Sequence, residues 1–207
     1  FSFSGQLPYN FQKASILTYV IYLIARPVTQ LYSTPEKSPI TSWAYSILGQ
    51  IYVVLPLALL GVWGYKSDYQ LFMNTEYLLM ALFVFVWTND TGAYIVGCTL
   101  GKHRLFERIS PKKSWEGFFG GLAFCIILAS LANYIIPGML STAQWIGMGI
   151  LTSIFSTWGD LCESLLKRTA GVKDSGKILP GHGGILDRFD SELIASPVIF
   201  IYLTFVL

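Results

Sequence analysis

Residues 42–64 read SWAYSILGQIYVVLPLALLGVWG and contain no charged side chain in 23 positions. The nearest charged residues are Lys37 and Lys66, so the whole stretch is apolar or weakly polar. A helix needs roughly 20 such residues to cross the hydrocarbon core of a bilayer. The stretch therefore predicts a transmembrane helix, and we expect an all-α, polytopic membrane protein with polar loops between its helices.

Composition supports this fold class for the chain as a whole. Charged residues make up 13% of the sequence, about half of the roughly 25% that is typical of soluble domains. Hydrophobic residues make up 53% and the mean hydropathy is +0.54, so lipid is expected to solvate much of the chain. The cysteines form no closely spaced pair, which favours reduced packing residues over a zinc or redox site: Cys98, Cys125 and Cys162.

Further uncharged runs bring the expected number of spans to about six. Residues 118–140 and 143–159 form a pair joined by a short turn that contains Pro137 and Gly138. The other candidates are 77–101, which contains Asp90, the shorter 14–25, which we expect to end at Arg26 and Pro27, and 193–207. We expect additional spans upstream of the first of these.

Basic residues are concentrated in two loops on either side of the 118–159 hairpin. Residues 102–116 and 160–190 hold ten of the 14 Lys and Arg residues. An antiparallel hairpin returns both loops to one face, which the positive-inside rule predicts to be cytoplasmic. Basic loops could serve topology and anionic lipid headgroups alone. The five acidic residues in the second loop argue for a further role, since topology requires no carboxylates.

The acidic residues recur at helical spacing. If the 143–159 helix continues, Asp160, Glu163, Ser164 and Lys167 share one of its faces. The same spacing places Asp187, Asp190 and Ser191 on one face of the helix that leads into the last span. Two such helices could bring three or four oxygens onto one divalent cation. Oxygen ligands without a cluster of Cys or His favour Mg²⁺ over zinc. From spacing alone, salt bridges with Arg168 and Arg188 explain the pattern equally well.

The segment KDSGKILPGHGG, residues 173–184, connects these two helices. Its glycines, which include Gly183, allow the backbone to approach a ligand and turn N–H groups toward phosphate oxygens. Lys173, Lys177 and His182 add positive charge or hydrogen-bond donors. The segment lacks the Walker A pattern, and a glycine cluster alone usually marks a turn. Flanked by acidic pairs, it favours a metal-bound polyphosphate, although His182 could equally be structural.

Two upstream segments are candidates for the same site. Ser110 is predicted to cap a helix that begins at Pro111, which would place Lys112 and Lys113 at a helix N-terminus suited to an anion. Ordinary capping and topology charge would explain this pattern as well. Asp90 lies in WTNDTGAY inside an apolar span, where an ionisable residue is a functional candidate or the buried partner of a loop lysine.

With these residues assembled, the chain resembles the bacterial phosphatidate cytidylyltransferase family, also called CDP-diacylglycerol synthases. The family signature has the form S-x-x-K-R-x4-K-D-x-[GSA]-x2-[LIF]-P-x-H-G-G-x-x-D-R-x-D. Residues 164–190 match every fixed position of it, and DTGAY at 90–94 and SPKKSWEGFFGG at 110–121 are similar to further family motifs. Cys98 stands where a basic or polar residue is expected. The resemblance covers residues 80–200 well.

The resemblance implies that CTP and phosphatidic acid are converted to CDP-diacylglycerol and pyrophosphate by a metal-dependent membrane enzyme. It implies Mg²⁺, with a second cation as an option, a homodimer in the inner membrane whose active site faces the cytoplasm, and no nucleic-acid partner. Residues 1–75 would be an N-terminal membrane region and residues 76–207 the catalytic region.

The resemblance also implies roles for individual residues. Asp160 and Asp187 would ligate metal, with Glu163 and Asp190 as further ligands or lysine partners. Lys112 and Lys113 would receive the phosphatidate headgroup. The residues that would hold the phosphates of CTP are Lys167, Arg168, Lys173, His182 and Gly183.

Two other functions fit parts of the pattern. A CTP-dependent prenol kinase of the dolichol or phytol type would share the superfamily, but the complete 164–190 signature favours the cytidylyltransferase. An ion-coupled transporter could use Asp90 and interrupted spans as its ion site. The charges, however, lie mostly in one loop, and no inverted repeat is visible in the sequence.

Overall fold

The computed structural model describes residues 9–32, 38–63, 75–176 and 183–207. The chain divides into two compact units, Phe1–Thr75 and Glu76–Leu207. The described part is helical apart from one short β-hairpin, which confirms the all-α class. Its elements are α1 (Tyr9–Leu31), α2 (Pro39–Gly49), a π-helical turn (Gln50–Val54), α3 (Leu55–Trp63), α4 (Thr75–Leu100), β1 (Arg104–Phe106), β2 (Ser110–Ser114), α5 (Trp115–Ile135), α6 (Thr142–Thr169) and α7 (Leu186–Val206).

In the part of the chain that the structure describes, four helical segments are long and apolar enough to cross a membrane, which supports the polytopic assignment. They are Pro39–Gly61, Glu76–Leu100, Trp115–Ile135 and Leu186–Val206. The predicted spans 14–25 and 143–159 also lie in helices, α1 and α6, but neither is among the four. Helix α6 is less apolar because it carries more polar residues, several of which are buried, as are Thr152, Ser153 and Ser156.

In the first unit, α1 continues through Arg26 and Pro27 to Leu31, so the prediction that it ends at these residues is wrong. A part-buried arginine needs polar partners for its guanidinium. The Arg26 guanidinium donates to Ser42 Oγ at 2.7 Å and to Ser46 Oγ at 3.0 Å, both on α2. Because α2 supplies these acceptors, the charge does not end the helix.

In the second unit, α6 packs between α5 and α7. Gly149 of α6 lies against α5, since a Cβ there would meet Cys125 O at 3.1 Å. Gly159 lies against α7, where a Cβ would meet Asp190 O at 2.6 Å. The core contains large apolar side chains that are almost fully buried: Leu82, Phe85, Trp145, Met148 and Ile199. Small residues on α6 thus allow the helices that carry the acidic pairs to approach closely.

The segment 104–114 forms an antiparallel β-hairpin, which corrects the predicted helix start at Pro111. Strand β2 pairs with β1, with Arg104 opposite Ser114. Helix α5 begins at Trp115, and its N-cap is Ser114, whose Oγ accepts from Gly117 N at 3.1 Å. Lys112 and Lys113 therefore lie on a strand just before the helix. The predicted Pro137–Gly138 turn is confirmed, with Gly138 at a φ of +78°.

Candidate active site

The charged ends of α6 and α7 meet around Lys167. Helix α6 runs unbroken to Thr169, as the spacing of its acidic residues required. Lys167 Nζ contacts the Glu163 carboxylate one turn earlier and lies 2.8 Å from Asp187 Oδ1 on α7. Glu163 is fully buried. One ammonium group thus bridges two carboxylates on different helices.

Asp187 is also the anchor of the loop before α7. Its Oδ2 accepts from Ser175 N and Ser175 Oγ, both at 2.9 Å, and from Gly184 N at 2.7 Å. Gly183 has a φ of +81°, and a Cβ there would lie 2.5 Å from Asp187 Oδ2. The loop therefore needs glycine at 183, and its backbone N–H groups are turned toward an anion, which here is the Asp187 side chain.

A second ion pair lies on the side of α6 toward the hairpin. Lys113 Nζ is 2.5 Å from Asp160 Oδ2, and Ser164 Oγ donates to Asp160 Oδ1 at 3.2 Å. Asp90 on α4 and Asp190 on α7 both lie within electrostatic range of Asp160 and Lys113. Asp90 thus lies near a lysine of the 102–116 segment. This agrees with one of its two predicted roles, that of a buried partner for such a lysine.

Burial and pairing shift the protonation equilibria around Lys167. Glu163 lies past residue 159, where the predicted span ends, and burial raises its pKa to about 7 even though Lys167 opposes the shift. Burial lowers the pKa of Lys167, but its hydrogen bonds to Asp187 and Glu163 outweigh that effect, and the net shift is upward. Lys167 is therefore charged at neutral pH.

A divalent cation at this site would need ligands beyond the described carboxylates. Glu163 Oε1 is buried and has no hydrogen-bond partner among the described residues, so an oxygen is left for a ligand. No three described His, Cys, Asp or Glu side chains converge closely enough to hold an ion by themselves. Mg²⁺ commonly takes only one or two carboxylates and completes its coordination with phosphate oxygens and water.

A cavity of about 530 Å³ lies beside Asp160, between α4, α5, α6 and the hairpin. Its polar lining includes Asp90, Lys112, Lys113 and Asp160, all singled out from the sequence. Arg104, Tyr94 and Cys98 also line it and were not predicted as site residues. The cluster of basic residues in the 102–116 loop was a signal for Arg104, but only the hairpin brings it to this cavity.

The buried hydrogen bonds that join α4 to α6 next to this cavity were not predicted. Asn89 donates to Ser156 Oγ and Thr157 Oγ1, each at 3.2 Å, and accepts from Ser153 Oγ at 2.6 Å. A Cβ on Gly121 would meet Asn89 Oδ1 at 2.5 Å, so α5 also packs on this side chain. These hydrogen bonds hold α4 and α6 in register next to Asp90 and Asp160.

The remaining predicted residues occupy more peripheral positions. Arg168 is exposed in the last turn of α6, and Lys173 is exposed in the following loop. Asp190 is partly buried in α7, and its Oδ1 accepts from Ser191 N at 2.7 Å. Lys177 and His182 lie outside the described residues, so their predicted roles stay predictions. Among the described residues, Lys113 and Lys167 form ion pairs with the acidic cluster.

Fold and site together define an integral membrane protein whose charged site residues lie mostly near the ends of apolar helices. Residues 2–206 match the Cytidylyltransferase family, and the chain belongs to that family. The resemblance drawn from the 164–190 signature is thereby confirmed.

The curated proteins that resemble the chain in sequence include several phosphatidate cytidylyltransferases. The chain is 41% identical over 160 residues to the phosphatidate cytidylyltransferase of Staphylococcus aureus (strain COL), an alignment that covers 77% of this chain and 61% of that protein. The phosphatidate cytidylyltransferase of Staphylococcus haemolyticus is 41% identical over 159 residues, with the same coverage. That of Staphylococcus epidermidis (strain ATCC 12228 / FDA PCI 1200) is 40% identical over 159 residues. The chain thus spans about three fifths of the length of these relatives.

Proposed function

We propose that the protein transfers the cytidylyl group of CTP to phosphatidic acid, forming CDP-diacylglycerol and pyrophosphate. The observation that carries the proposal is the pairing of carboxylates with ammonium groups near the ends of α6 and α7. Lys167 contacts Asp187, and the ion pair of Lys113 with Asp160 lines a cavity. Such a site can hold a nucleotide from water and a lipid headgroup from the bilayer. Membership of the Cytidylyltransferase family supports the same reaction.

The proposed reaction is an in-line displacement. A phosphate oxygen of phosphatidate forms a bond to the α-phosphorus of CTP, and the bond from that phosphorus to the bridging oxygen of pyrophosphate breaks. The attacking phosphate monoester is ionised at neutral pH, so no general base is obligatory. Positioning and charge neutralisation supply most of the rate enhancement in such reactions.

The proposed residue roles are those that the family signature implies. Asp160, Asp187 and Glu163 are the proposed metal ligands, and a bound divalent cation would neutralise phosphate charge and orient the reacting groups. Lys112 and Lys113 are proposed to hold the phosphatidate headgroup, and Asp190 to support Asp160. The proposed CTP phosphate site comprises Lys167, Arg168, Lys173, His182 and Gly183.

The distribution of basic residues supports an orientation for the site. Residues 102–116 and 160–190 carry most of the Lys and Arg, so we place them on the cytoplasmic side of a bacterial inner membrane. CTP then reaches the site from the cytoplasm while the acyl chains of the lipid substrate remain in the bilayer. A homodimer is part of the same proposal.

The position of the label that reaches the lipid tests the proposed reaction. With [α-³²P]CTP and phosphatidate, purified protein in detergent micelles should give a labelled lipid, while [γ-³²P]CTP should give labelled pyrophosphate and no labelled lipid. A lipid kinase would produce the opposite pattern, because it transfers only the γ-phosphate. Label in the lipid only from [γ-³²P]CTP would overturn the proposal.

Chelation tests the cation requirement. Excess EDTA is expected to stop cytidylyl transfer, and Mg²⁺ added beyond the EDTA to restore it, because two carboxylates and the CTP phosphates need a cation between them. Pyrophosphate release is the measurement, and EDTA already saturated with Mg²⁺ is the matched control. Full activity after exhaustive chelation would remove the metal from the account.

A further inference from the structure

We propose that the 530 Å³ cavity binds the phosphate and glycerol end of the lipid substrate, and that Arg104 is a specificity determinant for it. This inference rests on the proposed function and deepens it, because it names the wall of the site that the lipid occupies. It adds Arg104, Tyr94 and Cys98 to the residues that the sequence pattern identified.

The cavity has the two-sided lining that an amphiphile requires. Arg104, Lys112 and Lys113 provide positive charge near its hairpin side, while Leu105 and Phe118 provide apolar surface. The carboxylates of Asp90 and Asp160 also line the cavity, and Lys113 is paired with Asp160. A neutral lipid would leave the cationic side chains of this lining without an anionic partner. A lipid that ends in a phosphate matches both.

The position of the cavity along α4 places it beside the hydrocarbon region. Its lining on that helix extends from Asn89 to Cys98, near the helix end at Leu100. At a rise of 1.5 Å per residue, nine residues correspond to about 14 Å of helix. The cavity therefore extends from the end of a membrane-spanning helix well into the span, as a lipid with its phosphate at the boundary requires.

Arg104 and Lys112 are the cationic side chains of the cavity that are best placed to bind an anionic ligand. Lys113 is paired with Asp160, whereas neither Arg104 nor Lys112 forms an ion pair with a described carboxylate. An arginine can bind two phosphate oxygens at once, which favours it for recognising a phosphomonoester. Arg104 is thus suited to select phosphatidate over lipids without a terminal phosphate.

The hairpin holds Arg104 in a defined place. Glu116 accepts from Lys102 N at 3.1 Å and from His103 N at 3.2 Å, and Trp115 N donates to His103 O at 2.9 Å. These bonds tie the start of α5 to the residues immediately before Arg104. The arginine is therefore fixed at its backbone and free to orient its guanidinium toward a ligand.

Cysteine alkylation provides a direct test, because Cys98 lies in the cavity wall. Cys162 is an exposed cysteine on α6 that does not line the cavity, and it serves as the control within the same molecule. The protein is treated with N-ethylmaleimide in detergent micelles, and labelling of each cysteine is followed by mass spectrometry. Dioctanoyl phosphatidate is expected to slow labelling of Cys98 several-fold and to leave that of Cys162 unchanged, whereas dioctanoylglycerol should protect neither.

Substitution of Arg104 tests the specificity role. Arg104→Gln is expected to raise the KM for phosphatidate about tenfold or more, the usual effect of losing a charged hydrogen bond, with the KM for CTP unchanged. It should also abolish protection of Cys98 by phosphatidate. Arg108→Gln, on the same hairpin but outside this cavity, is the matched control and should change neither quantity.

The outcomes separate this inference from the proposed function. Transfer from [α-³²P]CTP without phosphatidate protection of Cys98 would overturn the inference and leave the function standing. Protection of Cys98 by CTP alone would overturn it as well, since the cavity would then be a nucleotide site. Protection by phosphatidate without any cytidylyl transfer would support a lipid-phosphate site and contradict the proposed reaction.

Discussion

Replacing Asp187 with asparagine is expected to reduce cytidylyl transfer by at least about 100-fold, the scale seen when one electrostatic group of an active site is removed. The carboxylate pairs with Lys167 and accepts hydrogen bonds from Ser175 and Gly184. An amide has no negative charge and presents an NH₂ group to some of these donors. The loop before α7 and the proposed cation would both lose their anchor. Label transfer from [α-³²P]CTP measures the effect.

Asp160→Asn is expected to behave in the same way, because Asp160 pairs with Lys113 beside the cavity. Glu107→Gln is the matched control, since Glu107 is an exposed carboxylate on the hairpin outside this cavity. All three variants should insert into membranes and elute from gel filtration as the parent protein does. Near-parental activity in both aspartate variants would refute the assignment of these carboxylates.

Adding one methyl group at Gly159 is the second change with a large expected effect. A Cβ there would lie 2.6 Å from Asp190 O, 2.9 Å from Ser191 O and 3.0 Å from Ser191 Cα. All three atoms belong to the backbone of α7, so they cannot rotate away as a side chain would. Gly159→Ala must therefore push α6 and α7 apart next to Asp160 and Asp190.

Overpacking of this kind typically costs about 1–3 kcal/mol, so a lower melting temperature is expected together with a loss of transfer activity. Gly61→Ala is the control. Gly61 also lies in a helix, α3, and a Cβ there would have no described atom within 4 Å. Its activity should be unchanged and its melting temperature equal or slightly higher. A Gly159→Ala variant with parental stability and activity would show that α6 and α7 do not need this contact.

The membrane helices could be predicted from hydropathy because lipid selects for length and apolarity within a single segment. The run at residues 42–64 lies largely within such a helical segment, and that segment begins three residues earlier, at Pro39. Prediction was least accurate where polar partners come from elsewhere in the chain. Helix α1 continues past Pro27, and the serines that bind Arg26 lie 16 and 20 positions away in the chain, on α2.

The hairpin shows how long-range pairing overrides a local signal. Ser110 followed by Pro111 is a common helix start, yet the structure uses Ser114 as the cap. Glu116 at the start of α5 accepts hydrogen bonds from the backbone of Lys102 and His103, which draws the preceding residues alongside β1. The local pattern contains no information about that partner.

Two of the ion pairs of the site show that helical spacing predicts contacts within a helix but not contacts between distant segments. The contact between Glu163 and Lys167 is one helical turn apart, so spacing alone predicted that they share a face. The contact between Lys113 and Asp160 joins residues 47 positions apart in the chain, and no periodicity relates them. Asn89 is similar, since its three hydroxyl partners lie on α6 and only the packed bundle identifies them.

Anomalous scattering from crystals grown with CTP and soaked in Mn²⁺ tests the central claim most directly. The claim is that α6 and α7 bring their carboxylates to one cation held against the phosphates of a nucleotide. The account predicts a strong manganese peak in direct contact with a carboxylate oxygen of Asp160 or Asp187 and with phosphate oxygens of CTP. It would be contradicted by manganese bound only elsewhere, with Lys113 and Lys167 still paired to every one of these carboxylates.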